Sequence, residues 1–455
     1  MPIPEKYKAA VRRSFPKLYG FYVQFIHHLK WWKCRSLIRE TKENYKYVLQ
    51  RISKKISAGQ PVRVLFLISE CSKWKCQALY DQFAQSPDFE PMLAFTRTDL
   101  EEGTPKEYLE GRFEQLRAFF GKRGSRFVEA YSVDEDNAVE LSAFSPDIVF
   151  YSTYWLIPEC QQPQVVSRYA LTCFVPYFLA CHDAAQLDAQ RLVHLLAFRY
   201  FALDKTWVHY FKRKSWGCPY AGEFVGLGHP MLDMFAEAKR EVSRDDLVIY
   251  APHFSILDYG EQYSTFMETG RFMLDYAKSH PEISWCFKPH PHLRRILVDV
   301  AKWTKEEVEA YYGEWEKIGI ACYDADYPSL FMRSRALITD CSSFLMEYSA
   351  VNRPLIHLVR SDTKYKVAKP CRQLFDSFYT VRDKKELETA LKLVVEGFND
   401  TKVQERESAV NTLNLWHVRC SERIVSYLEE ILCDAGIKKR ERLSKVGAGA
   451  ISLDP

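Results

Sequence analysis

At 455 residues, with 47% apolar and 15% aromatic side chains, the chain is long enough for two or three domains with sizeable cores. Its thirteen cysteines are scattered singly, with no CxxC pair, no Cys/His metal spacing and no visible signal peptide, which favours a reducing cytosol over a disulfide framework. No apolar run approaches the roughly 18 residues that a membrane span requires. The net charge of +4 is unevenly spread: residues 1–58 hold fourteen Lys and Arg against Glu5, Glu40 and Glu43, leaving a mildly acidic body.

The basic segment has a helical pattern, with Leu18, Tyr22, Phe25 and Leu29 on one stripe and Trp31–Trp32 behind it. Flanked by Lys17, Lys30, Lys33, Arg35 and Arg39, it suits the surface of an anionic membrane. A helix docked on the body with a solvated basic face is the plainer alternative, and nothing else in the chain supports nucleic-acid binding.

Arg63–Ser69 is a near-continuous apolar strand of the kind buried on both faces of a parallel sheet, and Glu70–Lys75 is its exit loop. Ala78–Phe83 opens a helix, Pro91–Thr96 is a strand, 99–117 a helix, and Phe127–Tyr131, Pro146–Tyr151 and Leu171–Val175 are strands. Thr206–Tyr210 and Glu223–Val225 read as the last strands of this half. The pattern then restarts with the strand 246–250, the helix 271–280, the strand Ile283–Lys288, the helix 304–317 and the strand 319–323. From Ala336 to Val359 the chain reads strand, tight turn, helix, strand. Leu387–Leu432 is mostly helical, and the tail 438–455 is basic.

Strands alternating with helices predict an α/β protein with two Rossmann-like domains facing a cleft and a basic helical N-terminal arm. The boundaries expected are 1–58 for the arm, 59–240 for a domain that takes an acceptor, 241–385 for a nucleotide-donor domain, 386–437 for C-terminal helices and 438–455 for the tail.

The polar clusters fall just after strands, where open α/β sheets bind ligands. They are Glu70/Lys73/Lys75, His182/Asp183, His229, His253, Lys288/His290/His292, Asp324/Asp326 and Asp340/Ser342/Ser343/Glu347. Histidine suits proton transfer near neutral pH. Two serines at a helix start add hydroxyl donors to backbone N–H groups and the positive end of the dipole, a combination suited to phosphate. Asp340, Ser342 and Ser343 serve equally well as helix caps, and histidines beside prolines as turn residues. A cation, imidazoles and such a helix start together suggest an anionic, phosphorylated ligand. The sequence carries no GxxxxGK[ST], no GxGxxG and no metal-ligand set, so neither a metal nor another cofactor is expected.

Lys288-Pro-His-Pro291, followed some fifty residues later by Ile338-Thr-Asp-Cys-Ser-Ser343, Glu347 and Arg353-Pro354, resembles the CDP-glycerol glycerophosphotransferase family. These are the teichoic-acid and capsule polymerases of bacteria, with a two-domain glycosyltransferase-B fold. Tyr250-Ala-Pro252 and Gly228-His-Pro-Met-Leu-Asp233 resemble two further motifs of that family. The resemblance implies that His290 is catalytic or contacts phosphate, that Ser342 and Ser343 hold a pyrophosphate, and that Glu347 sits near the ribose. Lys288, Asp340 and His229 would complete the donor site, and His182 or His253 would serve as general base. Met231 stands where the family has an arginine, and the family's HGTP-like motif has no clear counterpart, His182 being the nearest histidine.

The activity implied is transfer of glycerol phosphate, or a related polyol phosphate, from a CDP-linked donor to a hydroxyl of a lipid-linked or surface-glycan acceptor, with release of CMP. A sugar transferase using a UDP- or CMP-sugar, and a binding protein on a degenerate transferase fold, are the alternatives. The partners expected are the donor, the acceptor and an anionic membrane surface, with no nucleic acid. The location expected is cytoplasmic, peripheral at the inner face of the cell membrane.

Overall fold

The computed structural model describes residues 16–97, 106–155, 157–179, 181–182, 192–214, 223–241, 247–256, 263–322, 327–361, 367–415 and 419–434. Within the first helix, side chains are described at Trp32 and from Cys34 onward. The side chains of the stripe from Leu18 to Trp31, the tail 438–455, and Asp183, Asp324 and Asp326 therefore lie outside what is described.

The first half contributes β1 (Val62–Ile68), β2 (Phe89–Phe95), β3 (Phe127–Glu129), β4 (Tyr131–Ser132), β5 (Asn137–Ala138), β6 (Ile148–Tyr151), β7 (Leu171–Phe174), β8 (Arg199–Ala202) and β9 (Phe224–Gly226). Seven of these form a parallel sheet in the order β3-β2-β1-β6-β7-β8-β9, and β4 and β5 pair as an antiparallel ribbon. The second half contributes β10 (Leu247–Ala251), β11 (Trp285–Phe287), β12 (Ile320–Ala321), β13 (Ser334–Thr339), β14 (Leu355–Leu358) and β15 (Tyr379–Val381), in a parallel sheet ordered β12-β11-β10-β13-β14-β15. The strand order reverses between β1 and β6 in one sheet and between β10 and β13 in the other. Loops leaving these strands diverge there and open a crevice. β1, β10 and β13 are buried along almost their whole length, as strands covered by helices on both faces must be.

Three large apolar clusters hold the described residues together. One joins a face of the first sheet to the helix Cys420–Asp434, whose Ile424, Leu428 and Leu432 pack with Val64, Phe66 and Phe150. The chain therefore returns to its first half at the end. A second fills one face of the second sheet around Trp285, Phe287 and Trp315. The third runs from Leu65 and Tyr200 through Met231 and Phe235 to Ile249, Leu337 and Tyr348, so the two halves share a core. The Gly228–Asp233 turn anchors the returning helix: the Asp233 carboxylate accepts the N–H groups of Cys420 at 2.9 Å and Ser421 at 2.7 Å. A β-carbon at Gly228 would stand 2.3 Å from Cys420 Sγ, and its φ of 96° favours glycine.

One expectation is corrected. Residues 206–210 form no strand; they lie in the helix Lys205–Lys214, because the Asp204 carboxylate accepts the Trp207 N–H at 2.9 Å and caps the turn. The strand of this region is Arg199–Ala202. The basic segment forms one helix, Pro16–Ser57, as its pattern predicts, and its second part packs onto the first half: Ile38, Tyr45, Val48 and Ile52 are buried. The Tyr45 hydroxyl donates to the Leu196 carbonyl at 2.7 Å, and Arg51 Nη2 and Lys55 Nζ reach the Asp147 carboxylate at 3.0 and 2.5 Å.

Candidate active site

The loops leaving β10, β11 and β13 meet at the crevice of the second sheet. Asp340, directly after β13, is 1% exposed and its carboxylate accepts the N–H of His253 at 2.6 Å, the N–H of Thr265 at 2.6 Å and the Thr265 hydroxyl at 2.9 Å. Burial pushes this carboxyl up to about 6, against the pull of those hydrogen bonds. Asp340 is thus a buried tie between the ends of the two central strands that also positions His253.

His253 leaves β10 with its Nδ1 2.8 Å from the Ser255 hydroxyl. His290 leaves β11, its N–H donating to the Pro252 carbonyl at 2.9 Å, and its Nδ1 accepts the His292 N–H at 3.1 Å. The two imidazoles lie 5.0 Å apart between ring centroids, and Phe254 contacts both at 4.4 Å and His292 at 5.4 Å. Burial, then His292, drives His253 down to about 3; burial, then His253 and His292, holds His290 well below its ordinary value. Both rings are neutral at pH 7.

The helix Ser342–Ser349 begins beside them. No side chain caps it: the residue at its cap position is Cys341, whose thiol lies 3.3 Å from the Ser343 hydroxyl. First-turn N–H groups of an uncapped helix are open to an anion. One turn deeper, Glu347 is 1% exposed and accepts a short hydrogen bond from the Tyr327 hydroxyl. Burial raises its carboxyl, opposed by Lys75, the Tyr327 hydrogen bond and Lys288. Lys75 comes from the exit loop of β1 and Lys288 from that of β11, and their ammonium groups stand 4.3 and 5.2 Å from the Tyr327 ring centroid. The crevices of the two sheets therefore share one ionic cluster.

The first half supplies more. Glu70 accepts Lys73 Nζ at 2.6 Å; burial would raise its carboxyl, but Lys73, His292 and Arg112 hold it below its ordinary value. Lys73 also lies 5.3 Å from the Trp155 ring centroid, and Trp155 meets Tyr177 edge-on at 5.4 Å. His182 crosses to the second half, where it bridges to Val367 and its ring lies 5.3 Å from Tyr263, itself 5.9 Å from His253. Burial lowers His182 to about 4. Its neighbour Cys181 reaches the Ser342 carbonyl, Sγ to O, at 3.3 Å.

His182, His253, His290, Lys288, Ser342, Ser343 and Glu347 are thus brought together, whereas His229 is not among them. It is 1% exposed, with Nε2 2.6 Å from the Pro176 carbonyl and Nδ1 accepting the Met231 N–H at 3.2 Å. Both ring nitrogens serve the main chain. Sequence patterns had pointed neither to Tyr327 nor to Phe254, Thr265 and Tyr177. Tyr327 stands just before the Pro328 that opens a helix, a position that marks a turn and nothing more. Among the described residues, no three His, Cys, Asp or Glu side chains are grouped to hold a metal ion.

Known proteins resemble the chain in sequence over part of its length and in fold over most of it. Residues 221–429 match the model of the CDP-glycerol:poly(glycerophosphate) glycerophosphotransferase family. The wall teichoic acid polymerase TagF superposes with a TM-score of 0.53 at 11% identity, over 91% of this chain and 98% of its own. A histidine variant of TagF soaked with CDPG gives 0.52 at 12% identity, over 91% and 98%. A protein described as a UDP-N-acetylglucosamine 2-epimerase from Listeria monocytogenes gives 0.54 at 13% identity, over 83% of this chain and 98% of its own. At such identities these structures establish the two-sheet fold. No curated protein sequence matches the chain. The family's match thus lies in the second half, residues 221–429, and the two-sheet fold of the glycosyltransferase-B type, similar to that of TagF, extends over most of the chain.

Proposed function

We propose that the protein transfers glycerol phosphate, or a related polyol phosphate, from its CDP-linked donor to a hydroxyl of a lipid-linked or surface-glycan acceptor. One observation carries this reading: two neutral buried histidines and an uncapped helix start converge at the switch point of the second sheet, with Lys75 and Lys288 beside them. The residues 241–385 would then hold the donor and 59–240 the acceptor.

The acceptor oxygen attacks the phosphorus that carries the glycerol, and the bond from that phosphorus to the bridging oxygen breaks. CMP departs with that oxygen, and the acceptor's proton passes to an imidazole, His253 or His182. Lys288 and His290 steady the charge on the transferring and leaving oxygens, while the N–H groups and hydroxyls of Ser342 and Ser343 hold the diphosphate. Transfer of this kind is chiefly positioning and electrostatic stabilisation, which these groups supply. Glu347, a turn deeper, accepts a ribose hydroxyl. The TagF variant soaked with CDPG supports the choice of donor.

The long helix fits an enzyme held at the inner membrane face. Trp32 is 56% exposed with the Arg35 guanidinium 4.7 Å over its ring, a pairing suited to the headgroup region. No described helix is long and apolar enough to cross a membrane.

Thermal shift is the test. CDP-glycerol at about 100 times its dissociation constant should add about 2.7 kcal/mol, and Ser342→Ala/Ser343→Ala should remove that shift. Stabilisation by UDP-sugars alone would overturn the polyol-phosphate reading in favour of sugar transfer; no shift with any nucleotide would overturn both.

A further inference from the structure

The amino ends of β1, β6 and β7, on the side of the sheet opposite the cleft, border an open recess of about 540 Å³. Arg51, Lys54 and Lys55 line it from the last turns of the helix Pro16–Ser57, and Ser142, Ser145 and Tyr169 line its other side. β1 is seven residues long, so about 20 Å separates the recess from the loop that carries Glu70 and Lys73. The lining holds one carboxylate, Asp147, and its oxygens are taken. Oδ1 accepts Arg51 Nη2 at 3.0 Å, and Oδ2 accepts Lys55 Nζ at 2.5 Å and the Arg63 N–H at 2.8 Å. Lys54 is exposed and makes no ion pair among the described residues. Arg51 bonds there through Nη2 alone, which leaves its Nε and Nη1 donors. Glu140 stands outside the lining, exposed, and accepts the Ser142 hydroxyl at 3.2 Å.

Lysines in a last turn complement the helix dipole, which at this end is equivalent to about half a negative charge. That half charge and Asp147 offset about half of the three positive charges in the lining. A concave surface with low-dielectric walls focuses the field of the remainder. A guanidinium edge, two ammonium groups and hydroxyls suit a phosphate, which brings three or four acceptor oxygens and up to two charges; a carboxylate brings two oxygens and one charge.

We propose that this recess binds a phosphate-bearing anion, at a site separate from the cleft and independent of the transferase reading. A free phosphate ester and the headgroup of an anionic phospholipid present the same chemistry to it.

Isothermal titration of the full chain tests this, in a Ser342→Ala/Ser343→Ala background so that the proposed donor site does not contribute. The ligands are inorganic phosphate, glycerol 3-phosphate and dihexanoyl-phosphatidylglycerol kept below its micelle concentration. Lys54→Glu and Gln60→Glu each put a negative charge into the recess at an exposed position and leave the Asp147 ties intact. Lys46→Glu reverses a charge on the same helix outside the recess. At least one ligand should bind the background protein, should bind each recess variant about tenfold or more weakly, and should bind Lys46→Glu unchanged, with affinity falling as salt rises. Binding of the soluble phosphates identifies the ligand as a free ester; binding of the lipid alone identifies a headgroup. Binding that both recess variants retain, or that Lys46→Glu weakens equally, overturns the proposal, as does no binding of any of the three ligands. Melting temperatures check that each variant is folded, and the two recess positions keep the result decisive should one variant misfold.

Discussion

The Asp340 carboxylate accepts the His253 main-chain N–H at 2.6 Å, joining the first residue after β13 to the first residues after β10. The same carboxylate holds Thr265, which opens the helix Phe266–Ser279. One buried side chain thereby sets where a candidate catalytic imidazole stands. Asp340→Ala strands three buried donors, each worth about 1–3 kcal/mol, so it should cost on the order of 3 kcal/mol or more in urea denaturation. Asp340→Asn keeps one acceptor oxygen and should fall between. A loss below about 1 kcal/mol for the alanine variant would mean that water replaces the tie.

His290 and His253 stand 5.0 Å apart, both neutral, where the donor phosphates are proposed to lie. Removing a group that handles charge or protons in the transition state costs about 10²–10⁴-fold in rate. His290→Ala should therefore lower CMP release by that range while the melting temperature and the far-UV circular dichroism stay close to those of the unaltered protein. Retained turnover would remove His290 from the chemistry.

Stability should fall as the pH drops below about 6.5. Burial lowers His182 and His229 to about 4 and His253 and His357 to about 3 in the folded protein. The unfolded chain protonates these imidazoles near pH 6.5, so between about 6.5 and 4 it takes up protons that the folded state refuses. Asp340 works the other way: raised to about 6, it binds its proton in the folded state first and adds stability as the pH falls towards 3.8. Four imidazoles outweigh one carboxyl. Urea midpoints measured from pH 7.5 to 5 should decline, and less steeply for His357→Phe. A constant midpoint would place the imidazoles in contact with water.

Much of this architecture was legible before the structure. Arg63–Ser69 and Ala336–Thr339 announce themselves because strands buried on both faces need unbroken apolar runs, and the restart near residue 246 reveals the second sheet. Thr206–Tyr210 misled because its β-branched and aromatic residues favour a strand, while the deciding cap, Asp204, lies outside the run. Clusters after strand ends located the cleft, since chain order dictates which loops leave a parallel sheet on one side. His229 could not be told from His290 by pattern: what separates them is that both nitrogens of His229 are taken by the main chain. Tyr327 went unnoticed for a related reason, because its importance arises only where Lys75 and Lys288, some two hundred residues apart, meet over its ring.

That meeting can be measured. Lys75→Met leaves Glu347 buried with less compensation, and Glu347→Gln leaves a buried ammonium in the same position; each should cost about 3–5 kcal/mol. The double variant removes both charges and should cost clearly less than the sum, with a coupling of about 1 kcal/mol or more. Additive losses would show that the two charges stabilise separate parts of the fold.

The helix Pro16–Ser57 calls for two truncations with opposite outcomes. Its second part carries Ile38, Tyr45, Val48 and Ile52 into the core, with Tyr45 donating to the Leu196 carbonyl and Arg51 and Lys55 bound to Asp147. Burying one such side chain is worth about 1.5–3 kcal/mol, so deleting residues 1–58 removes an amount comparable to the whole stability of a domain and should leave the first half unfolded. Deleting residues 1–30 spares every one of these contacts and should leave the melting temperature nearly unchanged. If the aromatic and basic residues of that leading part, Lys17, Tyr22, Phe25 and Lys30 among them, hold the enzyme to an anionic bilayer, the shorter truncation should abolish co-sedimentation with phosphatidylglycerol vesicles while CMP release from soluble acceptors continues. Undiminished co-sedimentation would shift the membrane contact to Trp32 and Arg35, which a Trp32→Ala variant of the shorter chain would then have to lose.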